Sequence, residues 1–98
     1  MHEFVNDEMG YINWVSKHPM GYVLVSHNPP NFNYLTTHRA DCYCINPAKA
    51  PHKENWTKNN IKVCGDSLAE LQPWVVGCFS KNVFSLPPCK HCVISGRL

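Results

Sequence analysis

The sequence predicts a single small α+β domain, in which an N-terminal helix packs on a small antiparallel β-sheet and a short C-terminal helix leads to a cysteine knuckle. Three observations carry this prediction: helical spacing of apolar residues near the N-terminus, short β-rich runs separated by Pro and Asn turns, and a Cys-x-x-Cys motif near the C-terminus. The 98 residues fit one domain spanning 1–98. A chain this short buries a modest core, so a metal, disulfide or partner chain would add much to its stability.

The first predicted element is an amphipathic helix over residues 4–17. Asn6 can cap its N-terminus, and the acidic residues that follow suit the positive end of the helix dipole. Pro19 ends it, because the residue before a proline disfavours helical geometry. The predicted apolar face consists of Val5, Met9, Ile12 and either Val15 or Ser16, widened by Tyr11 and Trp14.

Three short strands follow in the predicted order. Residues 21–26 and 34–38 are rich in β-branched and aromatic residues, and the Pro- and Asn-rich segment between them favours an antiparallel hairpin. Residues 46–60 have the composition of a long surface loop, with Trp56 tucked beneath it. Residues 60–64 alternate as a third strand.

The second helix begins with a capping box, in which Ser67 caps the helix and Glu70 bonds back to the backbone. Pro73 is unfavourable inside a helix. Either the first helix is therefore a single turn, or a second helix begins at Pro73, where proline is well tolerated. Cys78 is predicted to be a core thiol.

The strongest chemical signal is the pair Cys89 and Cys92, the Cys-x-x-Cys pair that forms the cysteine knuckle. Two thiolates at this spacing can chelate one zinc ion from a tight turn. The same motif could be a redox pair or two unligated thiols, but the redox class needs a helix for which the C-terminus leaves no room. Three disulfides are a further use of the six cysteines, disfavoured because the N-terminus lacks the features of a signal peptide.

A second half-site consists of His38 and Cys42, at the end of the second strand and in the turn that follows. With the knuckle, these residues complete the three cysteines and one histidine of a tetrahedral zinc site. Cys44, close to Cys42, and Cys64, at the end of the third strand, are competing ligands. The sequence leaves open whether His38 or Cys64 is the fourth ligand, and whether the two halves meet.

His38-Arg39-Ala40-Asp41-Cys42, a strand, a capped helix and Pro88-Cys89-Lys90-His91-Cys92 together resemble the Ada-type metal-binding fold. The resemblance covers roughly residues 34–92 and implies a zinc-organised β-ribbon and helix, often attached to DNA-acting domains. It would make His38, Cys42, Cys89 and Cys92 the ligands. His38 stands where Ada has its methyl-accepting cysteine, so the repair chemistry does not carry over. The HRAxC, KVCGD and PCxxC segments are also similar to small uncharacterised bacterial proteins, which implies no activity.

The composition narrows the choice of partner. Charged residues are only 16% of the chain and the net charge is +2, so no strong electrostatic signal points to nucleic acid or membrane. A thinly charged surface favours a protein partner or a homodimer. No apolar run is long enough to span a bilayer, and a cytoplasmic protein is expected.

The leading functional prediction is a zinc-stabilised binding module, with nucleic acid the first partner to test and another protein the second. The predicted nucleic-acid contacts are Arg39, Lys58, Lys62 and Lys90, with Tyr34, Trp56 or Tyr43 available for base stacking. The alternatives are a small zinc-dependent hydrolase or nuclease-like enzyme acting through His38 and Asp41, and a homodimeric interaction module without metal.

Overall fold

The computed structural model describes residues 1–94 and confirms the α+β class. Its four strands form one antiparallel sheet in the order β1-β4-β2-β3. The strands are β1 (His2–Phe4), β2 (Tyr22–His27), β3 (Thr36–Arg39) and β4 (Asn60–Gly65), and the α-helices are α1 (Glu8–Lys17), α2 (Gln72–Phe79) and α3 (Lys90–Ile94). Short 3-10 helices lie at Phe32–Tyr34, Leu68–Leu71 and Val83–Ser85.

Alternate side chains of β2 and β4 point to opposite sides of the sheet, and each side is covered by its own core cluster. On one side, Val23 and Cys64 belong to the cluster that includes the buried residues of α1. On the other side, Leu24, Ile61 and Val63 pack with α2 and the 3-10 helices. The prediction that Ile61 and Val63 share a face is therefore confirmed.

The N-terminal segment differs from the predicted helix. Residues 2–4 pair with β4 as an edge strand, and α1 begins only at Glu8, with the Asp7 side chain accepting from Gly10 N at 2.9 Å. Asn6 is not the cap, since its φ of 51° places it in a turn. The buried face is Tyr11, Trp14 and Val15, whereas Met9, predicted inside, is 66% exposed. Starting the helix later selects a different stripe of residues for burial.

The second helical region resolves the Pro73 alternatives. Ser67 caps a short 3-10 turn, accepting from Glu70 N at 3.3 Å, and Glu70 Oε2 accepts from Asp66 N at 3.1 Å. A separate helix, α2, then begins with Pro73 in its first turn. Cys78 lies on its exposed side, so the predicted core thiol is wrong.

The segment between β3 and β4 is held against α1 by polar contacts. The Glu8 carboxylate accepts hydrogen bonds from the backbone N–H groups of Trp56 and Thr57 and from the Thr57 hydroxyl. Tyr11 donates its hydroxyl proton to the carbonyl of Ile45. Trp56 is buried beneath this loop, as predicted, and its burial makes the prediction that it is available for base stacking wrong. These contacts hold the loop over one face of the sheet, where Cys42, Ile45 and Trp56 belong to one core cluster.

None of the helices within residues 1–94 has the length and apolar character needed to cross a membrane.

Candidate metal centre

The first half of the candidate site is built at the end of β3. His38 lies opposite Val23 of β2, and its side chain therefore points to the face covered by α1. After Arg39 the chain turns sharply, with Cys42 N donating to Arg39 O at 3.0 Å. Asn46 Nδ2 donates to Ala40 O at 2.9 Å and braces this turn from within. Cys42 is thereby directed back toward His38.

The second half reaches the same place along the outer edge of β3. Thr37 N donates to Pro87 O at 3.2 Å, and Cys89 N donates to Thr37 O at 2.8 Å, so residues 87–89 pair with β3 as a short parallel bridge. The chain then enters α3, a short helix in a position where the sequence was expected to leave no room for one, and α3 carries Cys92 one turn after Cys89. The edge of β3 thus positions the knuckle beside His38.

The four donor groups meet. One ligand atom each from His38, Cys42, Cys89 and Cys92 lies within 4.8 Å of every other, and all four residues are buried. Cys42 Sγ and Cys89 Sγ are 3.9 Å apart. Zinc–sulfur bonds of about 2.3 Å in a tetrahedron place two sulfurs about 3.8 Å apart. The two half-sites predicted from the sequence therefore form one cluster with dimensions suited to a tetrahedral ion.

Cys64 lies outside this cluster for a reason of register. His2, Cys64, Val23 and His38 are Cα partners in a row across the sheet. Cys64 and His38 therefore share a face, but β2 stands between their strands, which separates them by roughly 9.5 Å. Cys64 is fully buried in the core, and burial raises the pKa of its thiol to about 12. Of the two candidates for the fourth position, His38 is the one beside the three cysteines.

The electrostatics of the cluster suit a cation. Burial, with the charges of Lys62 and His91, lowers the pKa of His38 to about 4, so its imidazole is neutral at pH 7 and carries a free lone pair. Burial also raises the pKa of Cys92 and raises that of Cys42 to about 11. Burial acts the same way on Cys89, but hydrogen bonds with the backbone N–H groups of Cys92 and His91 and with the side chains of Cys42 and Cys44 outweigh it and lower the pKa of Cys89. A bound divalent ion would stabilise all three thiolates.

One ring nitrogen of His38 also lacks a hydrogen-bond partner. His38 Nδ1 is buried and has no hydrogen-bond partner among the described residues, although a buried polar atom without a partner is costly. Around the cluster, Arg39 N points its hydrogen at Cys92 Sγ over 3.4 Å, a contact that stabilises a metal-bound thiolate. The residues present therefore fit a metal ion held by one nitrogen and three sulfurs.

The predicted nucleic-acid contacts are spread over different environments. Lys58 and Lys90 are exposed. Arg39 is half-buried and donates to the Tyr22 hydroxyl at 3.0 Å. Lys62 does not fit a surface contact, because it is 4% exposed and its ammonium donates to Trp56 O and Asn60 Oδ1. Its side chain forms hydrogen bonds inside the fold and is not available to a partner at the surface.

Sequence reasoning missed one contact at the rim of the cluster. The exposed Tyr43 hydroxyl lies 2.8 Å from His91 Nε2 and joins the turn that holds Cys42 to the knuckle. Tyr43 directly follows the first motif and His91 lies inside the second, so each is adjacent to a proposed ligand, and that adjacency was the available signal. Their hydrogen bond could not be read from the sequence, because it requires the two motifs to meet.

The fold and the cluster together define a small α+β protein with a candidate centre of three cysteines and one histidine. Comparison with protein-family models, with characterised proteins and with solved structures gives no match. The resemblance to the Ada-type fold therefore stays a prediction, carried by the two motifs alone.

Proposed function

We propose that the protein is a zinc-stabilised binding module, in which His38, Cys42, Cys89 and Cys92 hold one structural zinc ion. The observation that carries the proposal is the convergence of four buried donors from two segments 47 residues apart, counted from Cys42 to Cys89. Three thiolates and one imidazole form a common structural zinc set, and thiolates favour zinc over magnesium or calcium.

The donor count favours a structural role over a catalytic one. Catalytic zinc keeps an open position for water beside three protein ligands, whereas structural zinc is closed by four. Here His38 occupies the fourth position and is only 7% exposed. The hydrolase or nuclease-like alternative needs His38 as a free base with access to solvent, which this burial does not support.

Elemental analysis of protein purified under reducing conditions tests the proposal. We expect one zinc per chain in the wild type and a large loss of zinc in Cys89→Ser. Cys78→Ser is the matched control, since Cys78 is exposed and lies outside the cluster, and it should retain the wild-type zinc content. A wild-type protein that contains no metal, takes up none on titration and unfolds identically with and without a chelator would contradict the proposal.

For the partner, we propose nucleic acid first, contacted by the exposed Lys58 and Lys90. Binding to a single-stranded oligonucleotide should weaken as salt rises, because phosphate contacts release counterions. Replacing both lysines by alanine should reduce the salt dependence. Absence of binding at low salt, or binding insensitive to salt, would contradict this partner. Light scattering at that stage would then distinguish a monomer that binds another protein from a homodimer.

A further inference from the structure

A fifth sulfur lies beside the four proposed donors. Cys44 Sγ is 4.0 Å from Cys89 Sγ, and Cys44 is half-buried, whereas the three cysteine ligands are at most 6% exposed. A tetrahedral ion uses four donors, so Cys44 is surplus to the proposed site. It is therefore a thiol that solvent can reach and that touches a metal ligand.

Two features keep this pair of sulfurs together. Cys44 lies in a tight turn, in which Ile45 N and Asn46 N both donate to Cys42 O, at 3.1 and 2.9 Å. The hydrogen bond between Tyr43 and His91 ties that turn to the knuckle that carries Cys89. A disulfide needs the sulfurs to approach to about 2.05 Å, a closure of about 2 Å from their present separation.

We propose that Cys44 is an oxidation site, at which hydrogen peroxide links Cys44 to Cys89 and releases the metal ion. The proposal rests on the zinc centre proposed above. In the first step the Cys44 sulfur attacks peroxide, the O–O bond breaks, and a sulfenic acid and one water form. In the second step the Cys89 sulfur attacks the Cys44 sulfur, the S–S bond forms and the S–O bond breaks. The departing hydroxide takes a proton and becomes the second water.

The electron balance involves sulfur and peroxide alone. Two cysteine sulfurs lose two electrons in total, one peroxide gains them, and zinc remains Zn²⁺ throughout. Once Cys89 is part of a disulfide it is no longer an anionic donor, which leaves His38, Cys42 and Cys92 for the ion. Three ligands hold zinc more weakly than four, so the ion dissociates. Reduction of the disulfide would restore the complete site.

The positions of the other two cysteines that are not proposed ligands, Cys64 and Cys78, do not allow them to take the place of Cys44. Cys64 is fully buried and separated from the cluster by a strand, and Cys78 is exposed but lies on α2, away from the metal ligands. Cys44 alone among the cysteines that are not ligands combines partial exposure with sulfur contact to the knuckle, within the part of the chain that the structure describes. That combination gives a matched pair of variants: Cys44→Ser removes the proposed site, and Cys78→Ser removes an exposed thiol elsewhere.

The test treats zinc-loaded wild type, Cys44→Ser and Cys78→Ser with hydrogen peroxide and follows zinc release with a chromogenic chelator. Disulfides are mapped in parallel by mass spectrometry of unreduced digests after alkylation. We expect the wild type and Cys78→Ser to release zinc together with a Cys44–Cys89 disulfide, both reversed by dithiothreitol and added zinc. Cys44→Ser should release zinc several-fold more slowly. Release at the wild-type rate from Cys44→Ser, or a disulfide joining other cysteines, would overturn the proposal.

Failure of the zinc centre can be distinguished from failure of this inference. If the untreated wild type binds no zinc, the proposed function is wrong. The metal-free protein is then treated with hydrogen peroxide, and its disulfides are mapped in the same way. A Cys44–Cys89 disulfide there would support the oxidation site on its own. Its absence would overturn that as well.

Discussion

At the scale of single residues, His38 decides whether the cysteine cluster is closed. Its neutral ring is buried among three thiols, and its Nδ1 has no hydrogen-bond partner within the described residues. We predict that His38→Ala lowers zinc affinity by more than the roughly 10- to 100-fold that loss of an outer-shell partner costs. His38→Cys should keep tight binding, because a thiolate can occupy the same corner. Competition with a calibrated chelator measures both, and unchanged affinity in His38→Ala would show that His38 is not a ligand.

Lys62 makes the free energy of unfolding depend on pH, and the sign of this dependence follows from its pKa. Burial lowers its pKa from 10.5 to about 8, against the opposing effect of Glu8. Above pH 8 the folded protein releases a proton that the unfolded chain keeps until about 10.5, so this residue makes stability rise with pH across that window. Across this window the free energy of unfolding rises by about 3 kcal/mol at most through Lys62, since one pKa unit corresponds to about 1.36 kcal/mol.

Urea unfolding of wild type and Lys62→Met at pH 7.5 and pH 9.5 isolates this contribution of Lys62. The cysteines are common to both proteins, but the Lys62 charge also acts to lower the pKa of the Cys64 thiol. The difference between the two free energies of unfolding therefore reports Lys62 together with its coupling to Cys64. We expect that difference to shift in favour of the wild type at the higher pH. A difference that stays constant would mean that Lys62 has an ordinary pKa in the folded protein.

At the scale of elements, the start of α1 fastens the long loop that precedes β4. The Glu8 carboxylate accepts from two backbone N–H groups and one hydroxyl of Trp56 and Thr57. Glu8→Ala leaves buried donors without partners and should cost roughly 2–4 kcal/mol. Limited proteolysis should then cut within residues 46–57. Glu54→Ala is the control, an exposed acid of the same loop that should stay within about 0.5 kcal/mol of the wild type. Equal resistance of both variants would contradict the role of Glu8.

The elements also show which patterns could be predicted from the sequence. Alternation at Ile61 and Val63 was sufficient for β4, because one face of that strand meets α2 and the pattern is local. The strand at residues 2–4 was not predictable, since three residues form a strand only because β4 offers a free edge. Because residues 2–4 are used in this strand, the helix starts at Glu8 instead of the predicted residue 4, and Met9 is left exposed. The candidate site was predicted as two motifs, but the choice of His38 over Cys64 depends on strand order, which no local pattern contains.

At the scale of the whole molecule, the proposed metal joins the C-terminal segment to the sheet. Cys42, Cys89 and Cys92 belong to the core cluster that packs under α1, whereas Leu24 and Val63 belong to the cluster on the opposite face. Structural zinc binds with about 10–16 kcal/mol, which is comparable to the whole stability of a small domain. Loss of the ion should therefore loosen one side of the protein more than the other.

Amide hydrogen exchange with and without a chelator tests this asymmetry. Thr37 N and Cys89 N, which bond across the junction between β3 and the knuckle, should lose most of their protection when zinc is removed. The amides of Leu24 and Val63, paired between β2 and β4 at the centre of the sheet, should retain theirs. Cys78→Ser should show the same contrast as the wild type, because its substitution leaves the cluster intact. Equal loss at all four amides would mean instead that the ion supports the entire fold, and no loss at any of them would mean that it fastens nothing.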